Sequence, residues 1–196
     1  MSSPPRWAEG LVRLLLEPHE RDTVSGDLLE EYRERVLPSR GRRAANLWYV
    51  TQLAGFIWYQ LRLPAALLAA AFLVRAAFDW HVPTGDFGTR SSVLTAVTAA
   101  ILTAAGFVHA RRPVNFRSGM FAGAATALLA AGFNAVGAGL LLLGSHDAAT
   151  LAAIEASGGI VEVFLLPVLM VVPGAMLGLL GAGVATLPRR VVLLGP

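Results

Sequence analysis

The residues able to do chemistry are few and do not converge. Asp27, Glu30, Glu31 and Glu34 form the densest acidic group. They offer oxygen ligands to a divalent cation, but no E-x-x-H pair or calcium-loop spacing accompanies them, so a solvated helix face suits them better. The four histidines, His19, His81, His109 and His146, have no second ligand at helical or hairpin spacing, which argues against a haem, metal or pigment centre. His109 is the first place to look should a ligand be found. Ser91, Ser92 and Ser157 lack a nearby histidine and acid, so a serine nucleophile has no support. The sequence has no cysteine, and all 16 basic residues are arginine. Thiolate chemistry, disulfides, a Walker-A lysine and a Schiff base are thereby excluded. The expectation is a protein with no catalytic residues, no metal and no cofactor.

Composition points to a membrane instead. The chain has 196 residues, 55% hydrophobic and 15% charged, with a mean hydropathy of +0.59, and its apolar residues come in long blocks. A pI near 10.2 suggests nucleic acid only superficially. The net charge is +3, and eight of the 13 acidic residues lie among the arginines before residue 44. No clean basic stripe results, so a nucleic-acid partner is not expected.

Residues 120–143 carry no charge, and a helix of that length covers about 36 Å, enough to cross a bilayer with some tilt. Gly119, Gly123, Ala127, Ala131, Ala135 and Gly139 recur every fourth residue, and Gly174, Gly178 and Ala182 repeat the pattern further on. Small residues at this spacing let another helix backbone approach closely. Residues 63–78, 92–109, 120–143 and 160–187 read as four spans, with Pro167 and Pro173 kinking the last. Thirteen arginines fall before the first span, in the 111–117 turn or in the 188–196 tail, leaving aside Arg62 and Arg75; Arg90 alone lies in an outer loop. The positive-inside rule then puts both termini in the cytoplasm.

Residues 1–43 read as a small water-facing helical domain. Trp7, Leu11, Leu14 and Leu15 line one helix, and Val24, Leu28, Tyr32 and Val36 line a second at four-residue spacing. Leu11 to Leu16 is too short and too interrupted for a secretory signal, so a retained N-terminus is expected. Gly26 interrupts the second pattern and marks either close packing or a short break. Pro38 to Arg43 reads as a basic turn whose Arg40, Arg42 and Arg43 meet anionic lipid headgroups. Residues 44–62, with Trp48, Tyr49, Trp58 and Tyr59, read as an interfacial amphipathic helix bending near Pro64 into the first span.

The run Gly26-Asp27-Leu28-Leu29-Glu30-Glu31-Tyr32-Arg33-Glu34-Arg35, preceded by Trp7 and the 11–16 cluster and followed by Trp48-Tyr49 and Gln52, resembles the bacterial permease prefix domain. That domain precedes export permeases of the macrolide-exporter type and occurs in smaller membrane proteins associated with PadR-type regulators. The resemblance covers about residues 4–62 and implies a cytoplasmic helical module. It brings no catalytic residues. The large extracytoplasmic domain of a full permease has no counterpart here.

Within the spans, Arg75, Asn134 and Glu162 are the polar residues of note. Arg75 can snorkel, pair with Asp79 one turn on, or pair with Glu162 at similar depth, and Asn134 can hydrogen-bond across helices. The fold class expected is an all-α integral membrane protein of four transmembrane helices. Its expected role is a non-enzymatic accessory, scaffolding or regulatory subunit of a larger inner-membrane complex, whether transport, respiratory or photosynthetic. Its partners would be other integral membrane subunits or copies of itself. They would be met through the small-residue faces and a docking surface of Gly26, Asp27, Leu28, Glu30, Glu31 and Tyr32. The alternative is a small homo-oligomeric transporter or channel.

Overall fold

In the computed structural model, residues 3–15, 18–82, 86–111, 115–144, 148–156 and 159–192 are described. Every element among them is helical: α1 (Arg6–Leu15), α2 (Pro18–Glu31), a π-helical turn (Tyr32–Val36), α3 (Leu37–His81), α4 (Phe87–Arg111), α5 (Phe116–Gly144), α6 (Ala148–Ala156), α7 (Gly159–Leu169) and α8 (Val171–Val192). Two compact units divide the chain, Met1–Gln60 and Leu61–Pro196, and α3 contributes to both.

The N-terminal unit is built on four-residue spacings. Ala8 and Val12 of α1, Tyr32 and Val36 of the π turn, and Ala45, Tyr49 and Leu53 of α3 form one buried cluster. Val24 and Leu28 pack against its edge. The Tyr32 hydroxyl donates to Asn46 Oδ1 at 2.7 Å, and its ring meets that of Tyr49 edge-on at 6.0 Å. Residues 45, 49 and 53 thus supply three of this cluster's seven buried residues, and the stretch expected as an interfacial helix belongs up to Gln60 to the N-terminal unit. One local expectation fails. Gly26 sits in the uninterrupted α2 with open space where a Cβ would stand, so it marks neither a break nor close packing. Within residues 38–43, expected as a turn, two helical pieces of α3 meet at a kink at Gly41, whose φ 75° and ψ 168° leave the helical region. That backbone conformation suits glycine because it has no Cβ to clash. Helix α3 then runs on through Pro64 to His81, with Gly41 and not Pro64 as its point of irregularity.

Four helical runs are long and apolar enough to cross a membrane: Asp22–His81, Phe87–Arg111, Phe116–Gly144 and Val163–Thr186. The second unit, which holds the apolar windows, is packed in the reverse of a water-soluble domain. On α5, Leu128, Val136, Leu140 and Leu143 are exposed, while Ala122, Thr126, Ala130, Asn134 and Ala138 are buried. Large apolar side chains outside and small or polar ones inside suit hydrocarbon surroundings, where burial of Leu gains nothing and close backbone contact gains dispersion energy. Ala65, Leu68, Ala69 and Phe72 of α3 join Leu94, Leu102, Ala127 and Ala130 in the principal core. Helix α6 is a short cover that buries Ile154 beside Ala76 and Trp80 and leaves Leu151 exposed.

Helix ends reach beyond the apolar blocks that mark the spans. Helix α4 starts at Phe87 instead of residue 92 because Asp86 caps it: Oδ1 accepts the Thr89 backbone N–H at 3.1 Å and Oδ2 accepts the Thr89 hydroxyl at 2.6 Å. The fourth span, expected as one kinked helix over 160–187, is one helical run over Val163–Thr186. Helix α7 passes into α8 at Met170, whose N–H still bonds the Leu166 carbonyl at 3.1 Å and whose carbonyl accepts the Gly174 N–H at 2.7 Å. Pro167 and Pro173 stand three residues to either side. Each lacks the N–H that would bond four residues back, so the helical ladder is weakest between them.

Candidate functional site

The centre of the second unit is a junction of three backbones. A Cβ placed on Gly106 of α4 would fall on the carbonyl and Cα of Gly178, and one on Gly123 of α5 would fall on the carbonyl of Gly174. Gly119 lies so that its Cβ would stand 2.6 Å from the Ala182 methyl and 3.1 Å from the Gly106 carbonyl oxygen. Gly174 in turn faces the Ala127 methyl, 3.1 Å from where its own Cβ would be. Helices α4, α5 and α8 therefore touch main chain to main chain, and any side chain at these glycines would separate them. A Cβ on Gly181 would fall on the Thr103 carbonyl oxygen and 2.8 Å from the Phe107 nitrogen, so this glycine extends the α4–α8 contact.

The six small residues read along α5 do not all take part. Residues four apart on a helix of 3.6 residues per turn rotate by about 40° per step, so a strict every-fourth stripe winds off a straight contact. Gly119, Gly123 and Ala127 lie in the junction and Ala131 is buried, whereas Ala135 is exposed and Gly139 has open space beside it. The buried face continues instead through Ala130, Asn134 and Ala138, a row that lies one residue, about 100°, behind and so drifts into the contact as the first row drifts out. Gly106 and Gly181 are missing from the sequence reading. Their only signal is that a glycine inside an apolar helix needs a packing reason.

Two polar clusters sit toward the α3–α4 connection. Asp79, only 4% exposed, accepts from Arg75 Nε at 3.0 Å and from Arg90 Nη1 at 3.0 Å, one guanidinium on each carboxylate oxygen. Arg90 also donates to the Val82 carbonyl at 2.8 Å and stacks over Phe78 at 5.8 Å. Arg75 thus takes the partner one turn on, and the carboxylate ties α3 to the start of α4. Arg90 holds this role from a position that reads as an outer loop in the sequence. The Glu162 side chain, expected as a partner of Arg75, lies outside the described residues.

Asn134, 1% exposed, donates its amide N–H to the Val163 carbonyl at 2.7 Å. Val163 is four residues before Pro167, and its carbonyl is the one that proline leaves without a helical donor. Asn134 supplies the missing bond from α5. At the far end of the bundle, the Ser118 hydroxyl of α5 donates to the His109 carbonyl of α4 at 3.2 Å, and Arg111 stacks on Phe107 at 5.1 Å.

In the N-terminal unit, Asp27, Glu30 and Glu31 are exposed, Leu28 is half-buried, and Gly26 is exposed. Tyr32 is completely buried. It is a core residue and not part of a docking surface, because its ring packs against Tyr49 and its hydroxyl is spent on Asn46. Arg40, Arg42 and Arg43 are exposed. Among the described residues, no three His, Asp or Glu side chains come together to ligate a metal.

No family model, curated protein or solved structure matches this chain. The chemistry of this unit is that of three arrangements: backbone-close helix contact, a carboxylate clamped by two guanidiniums, and an amide that meets the carbonyl freed by a proline.

Proposed function

We propose that this chain is a non-enzymatic accessory, scaffolding or regulatory subunit of a larger bacterial inner-membrane complex. The observation that carries this reading is the glycine junction. It fills the centre of the bundle with main-chain contact among α4, α5 and α8, an arrangement suited to holding position more than to passing a solute. Ala135 and Gly139, together with Gly132, lie off that junction. They leave a small-residue face of α5 for a partner helix. In the N-terminal unit, exposed Asp27, Glu30 and Glu31 offer a charged docking face, and the permease-prefix resemblance supports a cytoplasmic module of this kind. Exposed Arg40, Arg42 and Arg43, with exposed Leu47, Trp58 and Tyr59 following, suit a chain that meets anionic headgroups as it enters the bilayer. Both termini would then be cytoplasmic.

Extraction from its own host in mild detergent tests this. The expected result is co-purification with a defined integral membrane protein at fixed stoichiometry, lost when Ala135 and Gly139 are replaced by leucine. A folded monomer alone contradicts it. Pro167 and Pro173, on either side of Met170 in the fourth span, support a second reading, a small homo-oligomeric transporter or channel, because proline-disturbed helices mark many membrane binding sites. Flux through purified protein in liposomes, abolished by replacing Arg75, Asn134 or Glu162, would decide for that reading.

A further inference from the structure

A cavity of about 30 Å³ lies in the second unit, and Arg75, Asp79, Trp80, Asn134 and Pro167 are among its lining residues. Two of these carry buried polar atoms with no hydrogen-bond partner among the described residues, Trp80 Nε1 and Asn134 Oδ1. Both residues are 2% exposed or less. The orientation of the Asn134 amide is fixed by its neighbour. The Val163 carbonyl can only accept, so the amide nitrogen must face it and the amide oxygen is left to the other side. Trp80 can only donate. The lining residues thus carry one unpartnered donor and one unpartnered acceptor, each buried where an unmade hydrogen bond is costly.

Charge and size together define what fits. An anion would meet the Asp79 carboxylate and the Asn134 oxygen. A cation would meet the Trp80 N–H and the Arg75 guanidinium, with Arg90 behind Asp79. A neutral molecule that both accepts and donates matches both orphan atoms. A space of this volume admits about one molecule of water size.

We propose that this cavity is a binding site for a single water molecule, accepting a hydrogen bond from Trp80 Nε1 and donating one to Asn134 Oδ1. The water completes a relay that begins at Pro167: the freed Val163 carbonyl takes the Asn134 amide N–H, and the water takes up the Asn134 oxygen. It joins α3 to α5 and makes the proline site in α7 fully satisfied inside an apolar surrounding.

The test is the Trp80 indole N–H in ¹⁵N-labelled protein held in deuterated detergent. The chain has four tryptophans, Trp7, Trp48, Trp58 and Trp80, so the triple variant W7F/W48F/W58F leaves the Trp80 signal alone. The expected result is a nuclear Overhauser cross-peak between that indole hydrogen and water, lost in Asn134→Leu. A folded triple variant whose indole hydrogen sees only aliphatic protons overturns the proposal, as does a water cross-peak unchanged by Asn134→Leu. Should that substitution prevent folding, a crystal structure of the natural sequence decides. Density within hydrogen-bond distance of both atoms supports the site, and its absence at a resolution that shows other buried waters overturns it.

Discussion

Asn134 and Val163 face each other across 2.7 Å, amide N–H to carbonyl, and the carbonyl is the one that Pro167 leaves without its helical donor. A side chain on α5 thus does for α7 what the α7 backbone cannot do for itself. The fourth span can carry a proline in the membrane because a neighbouring helix meets the freed group.

This pairing predicts an energetic dependence. Asn134→Leu should lower stability by about 1 kcal/mol, the usual scale for a side-chain hydrogen bond between membrane helices. Pro167→Ala restores a backbone donor to Val163, so in that background the same substitution should cost less. A double-mutant cycle by reversible unfolding in mixed micelles should give a coupling of roughly 0.5–1.5 kcal/mol. Additive effects would show that the two residues act independently.

The glycine junction makes a sharper contrast between positions. Gly123→Ala and Gly178→Ala would each drive a methyl into a facing backbone, which cannot turn aside as a side chain would. Each should destabilise by about 1–3 kcal/mol, the scale of overpacking a tight contact. Gly132 lies on the same helix as Gly123 with nothing near its Cβ position. Gly132→Ala should therefore be neutral or stabilising by up to about 1 kcal/mol through helix propensity. Equal costs at all three positions, read by the same unfolding assay, would contradict the contact.

Asp79 holds two guanidiniums at 3.0 Å each, and the arginine side chains are 17% and 24% exposed. Asp79→Ala should destabilise by about 1–3 kcal/mol, less than a fully buried pair because neither arginine is fully buried. Arg90→Gln should cost less, since Arg75 still balances the carboxylate. Thermal unfolding of the two variants checks the order.

Asp86 gives a pH prediction. The hydroxyl of Thr89 and then its backbone N–H bond the carboxylate, with the Arg90 charge assisting, and they hold its pKa below the ordinary value of 3.8. The folded pKa is depressed, so the cap contributes above the unfolded value and is lost as pH falls through the folded one. The start of α4 should therefore loosen in acid below the usual carboxylate range. Amide exchange at Thr89 should report it, and Asp86→Asn should remove most of the pH dependence.

How much of this was legible in the sequence follows from which forces act locally. The apolar blocks report lipid exposure directly, so four membrane-length helices can be read from composition, but their ends depend on caps such as Asp86. The Gly119 to Ala127 contact is visible as spacing. Its loss by Ala135 is not, because the contact face follows 3.6 residues per turn while the eye follows four. Tyr32 reads both as a member of the Val24 to Val36 apolar line and as part of a charged docking run, and its burial depends on Asn46 and Tyr49, which lie 14 and 17 positions away in the sequence. Arg90 reads as a loop arginine until the α3–α4 hairpin brings it to Asp79. The sequence also suggests Asn134 as a cross-helix hydrogen bonder, but the identity of its partner depends on how α5 and α7 align.

The account rests on a bundle that crosses the bilayer with its arginine-rich ends on one side, and single-cysteine labelling measures this most directly. The sequence has no cysteine, so His81→Cys at the end of α3 and Asn115→Cys before α5 each report one site without background. In intact cells, a membrane-impermeant maleimide should label the cysteine at position 81, and should label that at position 115 only after permeabilisation. Labelling of position 115 from outside, or recovery of the protein in the soluble fraction, would contradict it.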